Sequence, residues 1–233
     1  MSTATVNGFD VTAIDYALRP SSGQIALYVT GSSDIVASNA MLAANPKCVR
    51  IDQSPVITAI DTTADAFDME TGAITLAELG TVIKDAWNNY NHAVRPGQRK
   101  PAVYASASQI TPVANALVAA GLGNSGTGLW IAHFGVSLAD ATAMVATGSG
   151  PFPVIGFQYQ NEPAFDLDVF SVDWLNTVSS ASPVTVPPPT PWHGVFTGAR
   201  DGTVTKEGST FVVPLVSHDN GKTFTPTAKG KGE

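Results

Sequence analysis

Short runs of hydrophobic and β-branched residues recur along the first 178 residues, separated by longer stretches in which apolar positions follow a helical spacing. Short apolar runs bounded by turn residues are typical of β-strands. Eight runs fit this description: residues 6–11, 25–30, 48–52, 65–70, 101–106, 128–134, 154–160 and 165–170. Because predicted strands and helices alternate, the pattern indicates parallel strands joined by helical crossovers.

The stretches between these runs carry helix start and stop signals. Helices are predicted within residues 32–45, 75–94, 111–121 and 137–148. Ser32 or Ser33 is expected to cap the first of them, and Thr75 with Glu78 forms a capping box for the second.

The third helix is expected to have Pro112 at its first position and to stop at Gly121. Eight strands with helices between them predict an α/β fold, a compact (β/α)8 TIM-like barrel. Residues 1–178 are few for such a barrel, so the first, third and seventh crossovers are expected to be loops or single turns.

The pattern breaks at residues 179–192, where four of the five residues from Pro187 to Pro191 are proline. Such a segment is extended and unpacked, which predicts a linker between a barrel domain (1–178) and a tail (193–233). The tail has β-prone runs separated by Asp-Gly and Asn-Gly dipeptides, which suit hairpin turns. A small β-rich tail of this kind is expected to mediate attachment to a partner or self-association.

Composition excludes several classes of protein. With 44% hydrophobic and 13% charged residues the chain can bury a large core, and the single Cys48 cannot form an intramolecular disulfide. The net charge of −7, with scattered basic residues, argues against a nucleic-acid partner. No apolar run is long enough to span a bilayer and the first ten residues lack the features of a signal peptide, so we expect a soluble protein without a membrane partner.

The segment DAFDMETG contains the strongest local signal for chemistry. Side chains two apart on a strand face the same way, so Asp68 and Glu70 are expected to face the barrel interior or its mouth while Phe67 and Met69 pack outward. The pair ends its strand, where barrel active sites are built. Taken alone, it could also be a solvated strand end and a helix cap.

Other predicted strands also end in, or carry, carboxylates. Asp10 ends the first strand, Asp52 ends the third, and Asp166 and Asp168 share one face of the eighth. A barrel would bring these acids around one mouth. Such a cluster suits either a divalent cation or acid/base work on a glycosidic bond, and the residues alone leave both open.

Aromatic and amide side chains near the strand ends favour a sugar ligand, because flat apolar faces with polar rims stack against sugar rings. The candidate substrate-binding residues, with Asp52 and Asp168, are Tyr28, Tyr104, Trp130, His133, Gln158 and Tyr159. The histidines lack the spacing of metal ligands and there is no nucleophilic Ser motif, so no metal or other cofactor is expected.

Five motifs occur in a familiar order: Gly8-x-Asp10-Val11-Thr12, Asp68-x-Glu70, PAVYAS, LWIAHF, and FQYQ followed by FDLDVF. Over residues 6–175 the chain resembles glycoside hydrolase family 25, the lysozymes (N-acetylmuramidases) of bacteria and phages, and related glycoside-hydrolase-like domains of actinobacteria and their phages. The resemblance implies a peptidoglycan hydrolase that acts on bacterial cell-wall glycan, made in the host cytoplasm or carried in a phage particle. It implies that Glu70 is the general acid, Asp68 its companion carboxylate, and Asp10 and Asp166 further acids of the site.

Two departures from the family pattern leave an alternative open. The third strand ends Arg50-Ile51-Asp52-Gln53-Ser54 where the family usually has a Tyr-His-Phe-like end, and Phe157 stands where it usually has Trp. The alternative is a catalytically weak or silent glycan-binding or structural component of a phage particle with the same barrel, for which phage structural proteins or further copies of the chain would be the partners. A third hypothesis is a divalent cation held by Asp10, Asp52, Asp68 and Asp166.

Overall fold

A computed structural model describes residues 4–147 and 151–180 and, further along the chain, the strand segments 202–206, 209–213, 215–217 and 224–226. The chain divides into two compact units, Met1–Ser182 and Pro183–Glu233. Most of the predicted linker, residues 181–192, lies outside the described residues.

The first unit is a closed barrel of eight strands that follow one another in chain order around the barrel. This confirms the predicted α/β barrel. The strands are β1 (Thr5–Val11), β2 (Gln24–Tyr28), β3 (Val49–Asp52), β4 (Ala66–Asp68), β5 (Ala102–Ser106), β6 (Gly128–Ala132), β7 (Val154–Asn161) and β8 (Asp166–Ser171).

Strand β8 runs in the opposite direction to the other seven. β1 to β7 pair in parallel, whereas β8 pairs antiparallel with both β7 and β1. The prediction of parallel pairing is therefore wrong for β8, because only residues 162–165 separate it from β7 and a parallel crossover needs a dozen or more. As a result β8 begins, rather than ends, at the carboxyl ends of the other strands, where Asp166 pairs with Asp10.

The described residues of this unit form five helices: α1 (Asn39–Ala44), α2 (Leu76–Asn91), α3 (Ile110–Ala119), α4 (Leu138–Thr147) and α5 (Val172–Leu175). The first and third crossovers contain only the short 3-10 turns Tyr16–Leu18 and Ile57–Ala59, and the seventh is a hairpin turn. The expectation that these three crossovers lack full helices is confirmed.

The helix ends agree with the predictions only in part. The capping box of Thr75 and Glu78 is present at the start of α2. The prediction for α1 is wrong, because Ser38 rather than Ser32 or Ser33 caps it, and its hydroxyl accepts from the Met41 amide. The Ala37 amide, preceding this cap, donates to the Tyr28 carbonyl and so holds the segment against β2 in a non-helical conformation.

Helix α3 begins two residues earlier than predicted. Ile110 is its first residue, so Pro112 takes the third position, which is tolerated because amides of the first turn have no partner within the helix. Gly121 follows the helix end with a φ of +79°, a left-handed conformation that favours glycine. The predicted stop is therefore confirmed.

The barrel interior is filled by large side chains, chiefly Trp130, Phe170 and Ile155. Glycines on neighbouring strands make room for them. A Cβ on Gly8 would come within 2.6 Å of the Phe170 ring, and one on Gly156 within 2.9 Å of the Trp130 ring. The barrel is therefore a packed core, and a ligand site has to lie above this layer. A second apolar core lies outside the strands, where Phe67 and Met69 pack with residues of α2 as predicted.

Below the aromatic layer, a buried ion-pair cluster ties lower strand ends together. Asp65 has no exposed surface and pairs with Arg95 and with Arg99, whose Nη1 lies 3.1 Å from Asp65 Oδ2. Arg99 also donates to the Cys48 carbonyl at 2.9 Å and the Lys47 carbonyl at 2.7 Å. In the described part of the chain these are the only ion pairs.

The second unit contains two antiparallel strand pairs, as the predicted β-rich tail requires. β9 (Gly202–Lys206) pairs with β10 (Ser209–Val213), and β11 (Leu215–Ser217) pairs with β12 (Phe224–Pro226). Gly202, expected in a hairpin turn after Asp201, is instead the first residue of β9. None of the helices described in either unit has the length and apolar character that crossing a membrane requires.

Candidate functional site

Acidic side chains from several strands converge at the mouth of the barrel, formed by the carboxyl ends of β1 to β7 and the start of β8. Asp10 lies near the end of β1, Asp68 ends β4, and Glu70 follows two residues later. Asp166 and Asp168 lie at the start of β8, which reaches the mouth because this strand is antiparallel. The fold therefore gathers carboxylates that are remote in sequence.

Gln158 of β7 links the buried carboxylates. Its Nε2 donates to Asp10 Oδ2 at 2.6 Å and to Asp166 Oδ2 at 3.2 Å, and its Oε1 accepts from the Tyr104 hydroxyl at 2.8 Å. The Tyr28 hydroxyl donates to Asp10 Oδ1 at 3.2 Å. Asp10 is thus held by two neutral donors, and three predicted substrate-binding residues form its immediate surroundings.

Asp68 is almost fully buried at 2% exposure. Its Oδ2 accepts from Gln53 Nε2 at 2.8 Å and its Oδ1 accepts from the Glu70 amide at 2.6 Å. Burial raises the pKa of Asp68, and these two hydrogen bonds oppose that rise. Gln53 is a residue that the sequence reasoning did not select as a site residue, although it lies in the third-strand end noted above as unusual.

Glu70 differs from the other acids because its side chain is exposed at the rim. Partial burial raises the pKa of Glu70, and the charges of Asp68 and then Asp166 raise it further. A carboxyl group that stays protonated at a higher pH than usual, while remaining open to solvent, has the properties of a general acid.

The deeper carboxyls also hold protons more tightly than usual. Burial raises the pKa of Asp10 to about 7, with the charge of Asp166 adding to the effect, and burial raises the pKa of Asp166 to about 6. Burial, followed by the charge of Asp10, raises the pKa of Asp168 well above its ordinary value. Among the described residues, the ion pairs all involve Asp65, so no cation neutralises this cluster.

Asp52 was expected to line the mouth but serves the loop that follows β3. Its carboxylate accepts from the Ser54 amide at 3.1 Å and from the Asp61 amide at 2.5 Å. It is 1% exposed. Because these backbone donors occupy it, Asp52 shapes the segment between β3 and β4, and it reaches the site only through its charge, which raises the pKa of Asp68.

Four of the predicted binding residues do not face the mouth as expected: Trp130, His133, Tyr159 and Asp168. Trp130 and Asp168 have no exposed surface, and Tyr159 packs in the core outside the strands. Alternation along β6 turns Trp130 inward and His133 outward. His133 is exposed and lines a separate, largely apolar cavity of about 330 Å³. Among the predicted binding residues, direct contact with a ligand in the mouth is therefore left to Tyr28 and Tyr104, while Gln158, which has no exposed surface, acts through the carboxylates that it holds.

The acids do not form a metal site in the described part of the chain, where no group of three or more His, Cys, Asp or Glu side chains has the arrangement to hold an ion. The arrangement suits proton transfer instead, since it combines an exposed carboxyl of raised pKa with buried, hydrogen-bonded carboxylates.

Comparisons of the chain with protein-family models, with curated proteins and with solved structures found no match.

Proposed function

We propose that this protein is a glycoside hydrolase of the lysozyme type, which cleaves the glycan strand of bacterial peptidoglycan by acid/base chemistry. The observation that carries the proposal is the exposed Glu70 with its raised pKa, placed beside buried Asp68 at a barrel mouth that holds three further acids. The resemblance of the motifs to lysozymes supplies the substrate class.

Glu70 is assigned the role of general acid. Its proton passes to the oxygen of the leaving sugar as the glycosidic bond breaks, water adds its hydroxyl to the anomeric carbon, and the proton that water gives up returns to the Glu70 carboxylate. The neighbouring charge of Asp68 favours the protonated form of Glu70 before the reaction and stabilises positive charge that develops at the anomeric carbon.

The remaining groups bind and orient the sugar in this proposal. Asp166 is half-buried at the mouth, and its charge raises the pKa of Glu70. Asp10 lies deeper and fixes Gln158 between itself and Asp166. The hydroxyls of Tyr28 and Tyr104, and their ring faces, complete the polar floor of the mouth.

The substitution Glu70→Gln tests the assignment, because it removes the transferable proton while keeping the shape of the side chain. We expect release of reducing ends from purified cell walls to fall by at least about 100-fold. Glu78→Gln is the matched control, since glutamine also completes a capping box and turnover should not change. Equal thermal unfolding of both variants would exclude a folding defect, and full activity of Glu70→Gln would refute the role.

A second candidate is binding to cell-wall glycan without turnover. It is favoured by one observation: both Asp68 oxygens already have donors, Gln53 and the Glu70 amide, in the free protein. A carboxylate held in this way has less capacity to respond to charge in a transition state. Sedimentation with purified cell walls, without release of reducing ends by the wild type, would select this candidate over the hydrolase.

A further inference from the structure

Two buried aspartates at the floor of the mouth, Asp10 and Asp168, share surroundings that cannot accept two negative charges. We propose that Asp168 is a positioning residue that keeps its proton at neutral pH on Oδ2 and donates it in a hydrogen bond to the carboxylate of Asp10. The hydrogen bond stands independently of the proposed function, and only its effect on turnover rests on that function.

The register of β1 and β8 places the two side chains together. Asp168 lies opposite Gly8 and Asp166 lies opposite Asp10, so Asp10 and Asp168 are diagonal neighbours on adjacent strands. Side chains two residues apart on a strand share a face, so Asp10 shares one with Gly8 and Asp168 shares one with Asp166. Both are the inward face of the barrel. Diagonal neighbours of this kind are within reach of each other when their side chains extend toward each other.

The hydrogen bonds of Asp168 leave one oxygen for the proton. Its Oδ1 accepts from Trp130 Nε1 at 2.9 Å, while Oδ2 is buried and has no partner among the described residues. A buried carboxylate oxygen that accepts no hydrogen bond costs free energy. A protonated Oδ2 can instead donate a hydrogen bond to the carboxylate of Asp10. A proton on Asp168 Oδ2 therefore explains why this oxygen accepts no hydrogen bond.

The negative charge belongs on Asp10 rather than on Asp168. Asp10 accepts from Gln158 and from Tyr28, whereas Asp168 accepts only from Trp130. More donors stabilise the charged form, so the proton settles on the partner with fewer. Burial, and then the charge of Asp10, raise the pKa of Asp168 well above its ordinary value, which agrees with the geometry.

The other titratable groups around the pair are acids or phenols, so none of them favours ionisation of Asp168. These groups are Asp166 of β8, Tyr28 of β2, Tyr104 of β5, and Asp68 and Glu70 at the end of β4. When ionised, the three carboxyl groups would repel a second charge beside Asp10, and the two neutral phenols carry no positive charge to offset it.

The proposal makes an unusual prediction for a buried acid in an acidic site: its amide should replace it. In Asp168→Asn the side-chain oxygen can still accept from Trp130 and the amide nitrogen can donate to Asp10 as the acid did. Asp168→Ala removes both hydrogen bonds, so Trp130 Nε1 loses its acceptor and Asp10 keeps only Gln158 and Tyr28 as donors. The pair of variants separates a hydrogen-bond donor from a required negative charge.

The first measurement follows carboxyl ¹³C NMR resonances of labelled aspartate in the full-length wild type and in Asp168→Asn. We expect one resonance with the shift of a protonated acid that does not titrate between about pH 5 and about pH 8. It should be absent in Asp168→Asn. If every aspartate is ionised at about pH 8, or if the protonated resonance persists in Asp168→Asn, the proposal is wrong.

The second measurement is the pH dependence of turnover on purified cell walls. The Asp168→Asn variant should keep turnover within about threefold of the wild type, with the same pH profile. The turnover of Asp168→Ala should fall by at least about tenfold. A loss in Asp168→Asn as large as that in Asp10→Asn would show that the charge of Asp168 is required and would overturn the proposal. If the wild type shows no turnover, the hydrolase assignment fails, and the NMR measurement alone decides where the proton lies. That measurement needs only the wild type if the variants do not fold.

Discussion

At the scale of single residues, Gln158 determines how several carboxylates can coexist in one buried site. Its amide group offers two N–H donors, which serve Asp10 and Asp166, and its oxygen serves Tyr104. Asp10 and Asp166 therefore obtain a shared neutral partner where a protein often places a cation. A glutamate has nearly the same shape but none of these donors when ionised.

We expect Gln158→Glu to lower the free energy of unfolding by about 3 kcal/mol at about pH 8, because it adds a buried charge and removes the donors of two others. The loss should shrink at about pH 5, where the added carboxyl holds a proton. Urea unfolding at both pH values measures it. Gln109→Glu makes the same change at an exposed site and should shift stability by less than about 0.5 kcal/mol. Equal effects of the two substitutions would contradict the role of Gln158.

At the scale of elements, the existence of the strands could be predicted from the sequence. The direction of every strand, and the face that each side chain occupies, could not. All eight apolar runs contain strands, and the Thr75 and Glu78 capping box marks the start of α2, because these signals are local. The run at 165–170 has the same pattern in either direction, and only the short link before it determines that β8 is antiparallel.

The face of the sheet that a side chain occupies was hard to predict where hydrophobic and polar residues do not alternate along a run. Residues 128–134 are apolar at nearly every position, so the sequence did not show that Trp130 turns inward and His133 outward. The role of Asp52 depends on amides of its own loop, including that of Asp61, which no spacing rule reveals. Asp10 and Asp68 could be predicted because the carboxyl ends of parallel strands meet in a closed barrel, whereas Asp166, at the start of β8, reaches the mouth only because that strand is antiparallel.

The glycines inside the barrel set the size of its aromatic filling. A Cβ at position 156 would lie 2.9 Å from the Trp130 ring and 3.2 Å from the Phe170 ring. We expect Gly156→Ala to lower the free energy of unfolding by about 1–3 kcal/mol, the usual cost of overpacking. Gly123→Ala is the control, because its Cβ would meet Val118 at an ordinary 3.7 Å. Chemical denaturation of both variants tests this, and equal stabilities would refute it.

At the scale of the whole molecule, the chain carries a net charge of −7 and a set of acids that the fold prefers to keep protonated. Folding raises the pKa of Asp10 to about 7 and that of Asp166 to about 6. The folded state therefore binds protons more tightly than the unfolded chain, in which aspartates titrate near 3.9. Such groups weaken folding once they ionise.

We expect the free energy of unfolding to fall by at least about 1 kcal/mol as pH rises from about 5 to about 8, since the folded protein must release protons in that window. Denaturant unfolding at several pH values measures the slope. Asp10→Asn should flatten it, because the substitution removes the group whose pKa is raised to about 7. Stability that rises with pH over the same window would be the opposite of this expectation.

The boundary between the two units after Ser182 makes a further prediction. A chain ending at Ser182 retains all eight strands of the barrel and the acids of the mouth, so we expect it to fold and to equal the full chain in the proposed glycan binding or turnover. Circular dichroism and thermal unfolding, beside the full chain, measure this. Size-exclusion chromatography shows whether assembly changes, as the predicted attachment role of residues 193–233 requires. A truncated chain that fails to fold would mean that the barrel depends on the second unit.

The reversed direction of β8 also decides where the polypeptide enters and leaves the barrel. Thr5 pairs with Ser171, so the start of β1 and the end of β8 lie side by side at the end of the barrel away from the acids. A parallel last strand would have delivered the chain to the rim of the acidic opening. In the observed arrangement, a protein immobilised through either end of the barrel unit keeps that opening facing away from its support, free to meet a bulky polymer.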